Sequence, residues 1–454
     1  MFIDSSDLIA NNPPHRGHGV AVSDVDGDGV FEFLVSGYGS ANRVLKWTGT
    51  SLEDVVDPLL ADSTGFTTCM IAADIDGDGR EEIYVCNEDT EQSEIGQADR
   101  LFAPFGRHWL DLLAQPENAA VVESVAGQAV AAIDRLGRGR YGFAVTQPGE
   151  PVVLYEMAGG GRLVDVSEDA GLDLSVAGPG VLALPLISER MDLFVHADGG
   201  ANCLFRNLGD GTFEEVAEQR GLADPRQLGR GVAALDADGN GLMDLVCAVR
   251  QGSHRLYLQR AGGGFTEEAP ADFSLPSHAT SVIAADFDND GQEEVLILNH
   301  GQPNRLFARR HEDWTEIDLG DALEARSYST GAAVADIDGD GLLELLVNHD
   351  GAGRPLALFK AAPNANSWLR VLPLTAAGAP ARGALVTCVA AGRSQRRAIC
   401  AGSGYLSQME PVAHFGLGEV PRVERVEIRW PDGAEAVIAN PPANRVLTVP
   451  HPPE

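Results

Sequence analysis

The sequence lacks several features that identify common classes of protein. It contains no apolar run of about 18 or more residues, the length that a membrane-spanning helix needs. Its first seven residues, MFIDSSD, are too polar for a secretory signal peptide. Motifs for nucleotide binding, for a serine nucleophile and for a zinc protease are missing. We therefore expect a cytoplasmic protein, or a secreted one if a signal peptide was trimmed.

Basic residues are few, and lysine is nearly absent. The 454 residues include 33 basic and 67 acidic side chains, which give a formal net charge of −34. Lys46 and Lys360 are the two lysines, so the other 31 basic residues are arginines. Because such a negative chain repels nucleic acid and anionic lipid, no nucleic-acid partner and no membrane partner are expected.

Six cysteines leave two interpretations open. Cys69 and Cys86 lie on strands that should be neighbours, and Cys388 and Cys400 flank a predicted hairpin, so either pair could face across strands. Cys203 and Cys247 are also present, with no obvious pairing. Because no signal peptide is visible, we expect reduced, partly buried thiols.

The most informative feature that is present is an acidic loop that occurs five times. In residues 286–294, DFDNDGQEE, acids occupy positions 1, 3, 5 and 9, and glycine occupies position 6. Alternate side chains of such a loop converge on one ion, and the glycine permits the sharp turn. The sequence therefore predicts up to five structural calcium ions. The candidate ligands are Asp24, Asp26, Asp28, Glu32, Asp74, Asp76, Asp78, Glu82, Asp236, Asp238, Asn240, Asp244, Asp286, Asp288, Asp290, Glu294, Asp336, Asp338, Asp340 and Glu344.

An EF-hand has the same order of ligands, but it needs flanking helices and a glutamate at position 12. Here position 12 is Val35, Val85, Cys247, Ile297 or Val347, and short β-rich segments flank the loops. A solvated acidic turn without metal does not explain the acid that recurs at position 9. The loops are therefore expected to join strands.

The spacing of the loops predicts the fold. They start at 24, 74, 236, 286 and 336, a period of about 50 residues, and the long gap holds two degenerate units at 129–139 and 180–195. Each unit contains four strand-like segments, so the sequence predicts an all-β, seven-bladed β-propeller over residues 1–362. Residues 2–8 are expected to complete blade seven. Residues 363–454 predict a small C-terminal β domain packed on the propeller.

The loops and their spacing resemble the FG-GAP/VCBS family of calcium propellers. The segments GSGYLSQ at 402–408, HFGLG at 414–418 and WPDG at 430–433, with Asn444, resemble the ASPIC/UnbV domain. The combination resembles homologues of cartilage acidic protein along the whole chain, although ARGA at 381–384 departs from the family pattern.

The resemblance implies two kinds of function. Some relatives are secreted calcium-binding matrix or adhesion proteins, whereas the UnbV branch is encoded with enediyne antibiotic biosynthesis in actinomycetes. The strong preference for arginine over lysine is typical of a GC-rich genome, and it favours the second kind. Tyr405 and His414, in the motifs that carry the resemblance, are expected to support the C-terminal fold rather than catalysis.

Histidines and other titratable residues are common in the connections expected at the end opposite the acidic loops. We hypothesise an enzyme that acts on a small polyketide-type substrate by acid–base chemistry, such as ring opening or carbon–carbon bond formation, without an organic cofactor. The candidate catalytic residues are His300, His349, Asp350, Arg230 and His278. The candidate substrate-binding residues are Tyr38, Asp198, Arg250, Tyr328 and His18.

Other interpretations of the same residues stay open. A polar propeller mouth without catalysis explains them equally, and a calcium-dependent extracellular binding or adhesion protein with a protein partner is the rival hypothesis. A lectin would need stacking aromatics, for which only Tyr38 and Tyr328 qualify, and a zinc site lacks a diagnostic spacing. The acidic insert at 87–99 is expected to be a solvated loop or a lid over the mouth.

Overall fold

Seven four-stranded antiparallel sheets follow one another along residues 2–361. A computed structural model describes residues 1–88, 99–106, 108–122, 127–311, 313–326, 328–351, 353–402, 404–420 and 422–453, so most of the acidic insert lies outside the described residues. The first strand of each sheet contacts the first strand of the next, and that of the seventh contacts that of the first. The sheets thus close into a ring, which confirms the predicted all-β propeller.

Each blade consists of four strands, ordered from the strand at the centre of the ring to the strand at its outer edge. They are Val20–Ser23, Glu32–Val35, Arg43–Trp47 and Leu52–Asp54 in blade one; Thr67–Ala73, Glu82–Asn87, Arg100–Phe105 and His108–Asp111 in blade two; Ala129–Ile133, Gly142–Thr146, Val153–Met157 and Leu163–Asp165 in blade three; Gly180–Leu184, Asp192–His196, Cys203–Asn207 and Phe213–Glu215 in blade four; Gly229–Leu235, Asp244–Val249, Arg255–Arg260 and Gly264–Glu267 in blade five; Ala279–Ala285, Glu294–Asn299, Arg305–Arg310 and Asp313–Ile317 in blade six; Ser329–Ala335, Glu344–His349, Ala357–Ala361 and Phe2–Asp4 in blade seven.

The inner strands are mostly buried because each sheet packs between two others. Every residue of Thr67–Ala73 and of Glu82–Asn87 is buried. Such strands are continuous apolar runs rather than alternating ones, since both of their faces meet a neighbouring blade. The outermost strands are more exposed, as in Phe213–Glu215, where only the first residue is buried.

The N-terminal strand closes the ring. Phe2–Asp4 pairs antiparallel with Ala357–Ala361 and forms the outer edge of blade seven. The strand is shorter than the expected segment 2–8. Asp4 Oδ1 accepts hydrogen bonds from the backbone N–H of Ser6 (2.9 Å) and from its hydroxyl (2.6 Å), and the chain turns there into the short 3-10 helix Ser6–Leu8.

The other helices in the described residues are single turns, at Pro116–Asn118, Ser167–Ala170, Ala217–Arg220 and Asp321–Leu323.

The C-terminal domain consists of two sheets around one apolar core that includes the buried Trp430 and Phe415. A three-stranded sheet contains Ala413–Gly418, Ser367–Pro373 and Val446–Val449, with the last two parallel. A four-stranded antiparallel sheet contains Arg393–Ala398, Leu385–Ala390, Val423–Arg429 and Glu435–Ala439.

All six cysteines are free thiols. Cys69 and Cys86 lie directly opposite each other on paired strands of blade two, and both are buried. Cys388 lies opposite Gln395, so the hairpin register does not align it with Cys400.

Candidate functional site

Each of the five acidic loops connects the first and second strands of its blade and brings its acids together. Within every group the ligand oxygens lie within 4.8 Å of one another. The groups are Asp24, Asp26 and Glu32; Asp74, Asp76 and Asp78; Asp236, Asp238 and Asp244; Asp286, Asp288 and Asp290; and Asp336, Asp338 and Glu344. The described residues therefore offer five places where several carboxylates converge.

The acid at position 9 also shapes its loop. One of its oxygens accepts a hydrogen bond from the backbone N–H at position 2, at 2.8 or 2.9 Å in all five loops. The acid at position 1 accepts a hydrogen bond from the backbone N–H of the glycine at position 6, at 2.9 or 3.0 Å. These bonds aim the remaining carboxylate oxygens towards the centre of the loop.

Some of those remaining oxygens are buried without a hydrogen-bond partner. They are Glu32 Oε1 in blade one, Glu82 Oε1 in blade two, Asp236 Oδ1 in blade five, Asp286 Oδ1 in blade six, and Asp336 Oδ1 and Glu344 Oε1 in blade seven. Of these, Glu32 Oε1 and Glu344 Oε1 each lie 3.0 Å from a lysine Nζ. Burial raises the pKa of Glu82 to about 9 and the pKa of Asp286 to about 7. A buried, unpartnered carboxylate is unfavourable, and a divalent cation would remove that penalty. The all-oxygen donor set of these loops fits calcium.

Blades three and four use the same connection without an acidic cluster. Asp134 accepts hydrogen bonds from the backbone N–H groups of Arg138 and Gly139. Asp192 Oδ2 accepts hydrogen bonds from three successive backbone N–H groups, at residues 186, 187 and 188. The acid that remains at a ligand position of each loop thus stabilises a turn by itself.

The C-terminal domain lies on the face of the propeller that carries the acidic loops. In blade six, the backbone N–H of Gly416 donates to Asp286 Oδ2 at 2.9 Å, and His414 Nε2 lies 2.6 Å from Asn289 Oδ1. In blade seven, the ring of Trp368 lies so close to Gly341 that a Cβ there would overlap it. The second domain therefore contacts the predicted metal loops of blades six and seven directly.

A buried ion pair joins the two domains at blade two. Arg382 Nε lies 2.7 Å from Glu81 Oε1, and Arg382 Nη2 lies 3.1 Å from Glu81 Oε2. Arg382 also donates to the backbone carbonyl of Val22 at 3.3 Å, and Ser23 donates to Glu81 at 2.7 Å. The two side chains of the pair are 0% and 3% exposed. The segment that departs from the family pattern is thus an interdomain contact.

Residues 404–410 of the second domain enter the centre of the ring. Gly404 exchanges two backbone hydrogen bonds with Val232 in blade five, at 2.9 and 2.7 Å. The buried amide of Gln408 accepts from the backbone N–H of Ala72 (2.9 Å) and donates to its carbonyl (3.0 Å), so it pairs with blade two as a strand residue would. The GSGYLSQ motif therefore supports the propeller as well as the C-terminal domain.

The predicted catalytic and substrate-binding residues lie at the opposite ends of the blades, where they form separate small groups. Arg230 Nη1 lies 2.6 Å from Asp198 Oδ2, and Arg250 Nη2 lies 3.7 Å from the same oxygen. The rings of His300 and Tyr328 meet edge to face at 5.1 Å. These contacts belong to two groups in neighbouring blades.

A third group surrounds Tyr38. Its ring meets that of His18 at 4.9 Å, and its hydroxyl donates to Glu88 at 2.7 Å. Arg16 lies over the ring of Tyr38 at 4.6 Å and pairs with Asp350 at 2.8 Å. Burial of the hydroxyl, together with its bond to Glu88, raises the pKa of Tyr38 to about 12.

His349 lies inside blade seven rather than on the face. Its side chain is 3% exposed. Its Nδ1 is 3.0 Å from the carbonyl oxygen of Pro355, and its Nε2 is 3.1 Å from Glu324 Oε1. His278, in contrast, is exposed, with its backbone N–H bonded to Gln302.

Sequence reasoning missed several members of this face. Arg16 completes the group around Tyr38, and Arg354 lies over the ring of Tyr328 at 5.0 Å. Tyr405, from the segment in the centre of the ring, lies 5.8 Å from the guanidinium of Arg230. No local motif signals these residues, because folding brings them together from different blades and from the second domain.

Comparisons with known proteins agree with this architecture. A family model described as FG-GAP-like repeat matches residues 6–85, 189–247, 236–297 and 286–347, and one described as ASPIC and UnbV matches residues 375–454. Cartilage acidic protein 1 of Mus musculus is 40% identical over 484 residues, covering 97% of this chain and 75% of that protein. The Homo sapiens protein is also 40% identical, with 97% and 73% covered, and the Xenopus tropicalis protein is 39% identical, with 100% and 77% covered.

Solved structures show the same fold at low sequence identity. The crystal structure of BBS1N in complex with ARL6DN aligns with a TM-score of 0.51 at 9% identity, covering 80% of this chain and 97% of that one. The BP39L lectin from Burkholderia pseudomallei aligns with a TM-score of 0.51 at 14% identity, covering 77% and 98%. Among the described residues, no helix has the length and apolar character needed to cross a membrane.

Proposed function

Because the chain belongs to the family of cartilage acidic protein 1, with FG-GAP repeats and an ASPIC/UnbV domain, we propose that it is a calcium-binding, non-catalytic binding protein that works outside the cell. Its open propeller face would hold a protein partner. The name of the relatives associates them with cartilage, a tissue rich in extracellular matrix. That association supports an extracellular role over the cytoplasmic location expected from the N-terminal residues.

The two faces of the propeller differ, and this difference carries the proposal. The C-terminal domain packs against the face that carries the acidic loops, whereas the opposite face carries exposed arginine and tyrosine side chains. The side chains of Arg16, Arg250 and Arg354 are 53%, 45% and 38% exposed, and Tyr328 is 37% exposed. Arginine and tyrosine are the residue types that contribute most to the affinity of protein interfaces. An exposed cluster of them is more typical of a docking surface than of a closed active site.

The arrangement of the candidate catalytic residues gives less support to the enzyme hypothesis. Acid–base catalysis needs groups that converge on one substrate position. Arg230 is neutralised by Asp198, His349 is buried with both ring nitrogens bonded, and His300 packs on Tyr328. Action on an enediyne or another polyketide remains a prediction that neither the geometry nor the names of the relatives favour.

The cavities near the second domain also lie away from those candidates. One of about 100 Å³ and another of about 240 Å³ are both lined by Glu293 and Arg397, which belong to the interface between the acidic loops and the C-terminal domain. Neither is lined by a candidate catalytic residue.

Site-specific photo-crosslinking tests the proposal. A crosslinking phenylalanine analogue replaces Tyr328 on the open face, or Val437, which is 66% exposed on the outer sheet of the C-terminal domain, as a matched control. Each protein is exposed to the extracellular fraction of its source, with calcium or with EDTA. We expect one protein to crosslink at position 328 and not at 437, and Arg250→Glu to abolish the product.

Crosslinks of equal yield at the two positions would count against a specific partner. So would a product that persists unchanged in Arg250→Glu. Turnover of a small molecule that stops in His300→Ala while crosslinking is absent would support the enzyme hypothesis instead.

A further inference from the structure

Lys46 lies inside the acidic loop of blade one. Its Nζ is 2.6 Å from Asp26 Oδ2, 2.7 Å from Asp28 Oδ2 and 3.0 Å from Glu32 Oε1. Each of these oxygens belongs to a predicted calcium ligand. An ammonium group has three N–H donors, and here there are three carboxylates to receive them.

Lys360 repeats the arrangement in blade seven. Its Nζ is 2.5 Å from Asp338 Oδ2, 2.8 Å from Asp340 Oδ2 and 3.0 Å from Glu344 Oε1. The contacted carboxylates are at positions 3, 5 and 9 of the loop, as in blade one.

The two lysines occupy the same place in their blades. Leu45 is paired with Phe33, and Phe359 is paired with Leu345, so each lysine is one residue further along the third strand. They are also the only lysines in the sequence, in which the other 31 basic residues are arginines. A compact ammonium fits the centre of a loop better than a planar guanidinium does.

The equivalent residues of the other acidic blades carry no charge. The same register identifies Ala103 in blade two, Leu258 in blade five and Ala308 in blade six. These are the blades in which Glu82 Oε1, Asp236 Oδ1 and Asp286 Oδ1 are buried without a hydrogen-bond partner. In blades one and seven the corresponding position-9 oxygens, Glu32 Oε1 and Glu344 Oε1, each lie 3.0 Å from a lysine Nζ.

We propose that the ammonium groups of Lys46 and Lys360 take the place of the ion in blades one and seven, and that calcium binds only in blades two, five and six. Calcium approaches its oxygens to 2.3–2.6 Å, so an ion bound to the same carboxylates would lie within a few ångströms of the ammonium and be repelled by it. Blade seven holds a further cation, Arg370, whose Nη1 lies 3.0 Å from Asp336 Oδ2. The other oxygen of that carboxylate, Asp336 Oδ1, has no hydrogen-bond partner.

The position of these blades gives the internal cations a role. Blades one and seven are neighbours at the point where the ring closes, and blade seven is completed by the N-terminal strand. Their loops keep an internal counter-charge when calcium is scarce, so closure of the ring depends less on the ion. The loops of blades two, five and six then respond to calcium. The inference rests on the calcium binding in the proposed function.

Counting bound calcium tests the inference. Wild type and variants are titrated to saturation by equilibrium dialysis, and the ions per chain are measured by elemental analysis. We expect at most three ions in the wild type. Lys46→Met keeps the length of the side chain, removes its charge and should gain one ion. Lys360→Met is a second variant with the same expectation, should the first fail to fold. Ala103→Lys places a lysine in blade two and should lose one ion.

Four or five ions in the wild type would overturn the inference, and so would an unchanged count in the two lysine variants. A count of zero would overturn the calcium binding of the proposed function as well. A failure of the crosslinking experiment leaves the ion count unaffected, so the two failures are distinguishable.

Hydrogen–deuterium exchange of the wild type adds a readout that needs no mutation. Removal of calcium by EDTA should raise exchange in the loops at 74–82 and 286–294 and leave the loop at 24–32 unchanged. An equal rise in all three loops would overturn the inference.

Discussion

Replacing Arg382 by methionine tests whether a buried ion pair holds the second domain on the propeller. The guanidinium makes two contacts to Glu81 and one to the carbonyl of Val22, and the two charged side chains are 0% and 3% exposed. Methionine fills much of the same volume, so the change mainly removes the charge and the donors. Breaking a buried pair in this way costs about 3–5 kcal/mol, because the remaining carboxylate stays desolvated. We expect a loss of that size in the free energy of unfolding.

The same domain offers a control. Arg425 Nε lies 2.6 Å from Glu427, but those side chains are 46% and 43% exposed. Exposed pairs contribute about 0–1 kcal/mol, so Arg425→Met should have little effect. The double variant Arg382→Met with Glu81→Gln should recover stability relative to Arg382→Met alone, since it buries no unpaired charge.

Urea unfolding, followed by fluorescence and by circular dichroism, measures these differences. Two probes are needed because a chain of two domains does not necessarily unfold in one step. The reasoning is refuted if Arg382→Met loses no more than Arg425→Met. It is also refuted if the double variant loses the sum of the two single effects.

Three further predictions concern the centre of the ring, the response to pH and the response to calcium. Gln408→Ala leaves the backbone N–H and carbonyl of Ala72 without partners, so it should lower the free energy of unfolding, measured in urea, by about 2–5 kcal/mol. An unchanged midpoint would contradict the insertion of residues 404–410 into the ring. Burial lowers the pKa of His254 to about 4. The neutral imidazole therefore contributes fully to the free energy of unfolding above pH 6.5. That contribution is lost as the pH falls towards 4, and at pH 5 the free energy of unfolding is lower by about 2 kcal/mol. His254 Nδ1 accepts a hydrogen bond from the backbone N–H of Val249, and Asn202 Oδ1 accepts the equivalent bond from Ala197 in blade four. His254→Asn should therefore keep the fold and reduce the pH dependence of stability. Equal pH profiles of the variant and the wild type would contradict this. Addition of EDTA at pH 8 should lower the melting temperature measured by calorimetry, because removal of a ligand that binds the folded state destabilises it and leaves the buried carboxylate of Asp286 ionised without the calcium ion. An unchanged melting temperature would argue against bound calcium.

The propeller could be predicted because its signals are local and repeated. Positions 1, 3, 5, 6 and 9 of each loop lie within nine residues, and their spacing alone identifies a turn between two strands. Seven units follow from counting that spacing. Residues 2–8 were expected to complete blade seven, and within them the strand covers only Phe2–Asp4, because Asp4 bonds to Ser6, a competition that strand propensity does not reveal.

The candidate site could be predicted only in part. The residues of the open face were found because they occupy equivalent places in successive units, yet their exposure was not predictable. His349 and His300 are at the ends of second strands or just beyond them, but one is enclosed by Glu324 and Pro355 while the other meets Tyr328. Which histidine is buried depends on side chains from other connections.

The sequence by itself determined the number of blades, the place of each acidic loop and the presence of a second domain, since each depends on residues that are close together in the chain. The tertiary structure decided what fills the loops and the centre of the ring. Lys46 reaches its carboxylates across a strand pair, Arg382 meets Glu81 across 301 positions, and Gln408 meets Ala72 across 336. Contacts of that kind have no local signature, because the partner of a side chain is chosen by the packing of whole blades and domains.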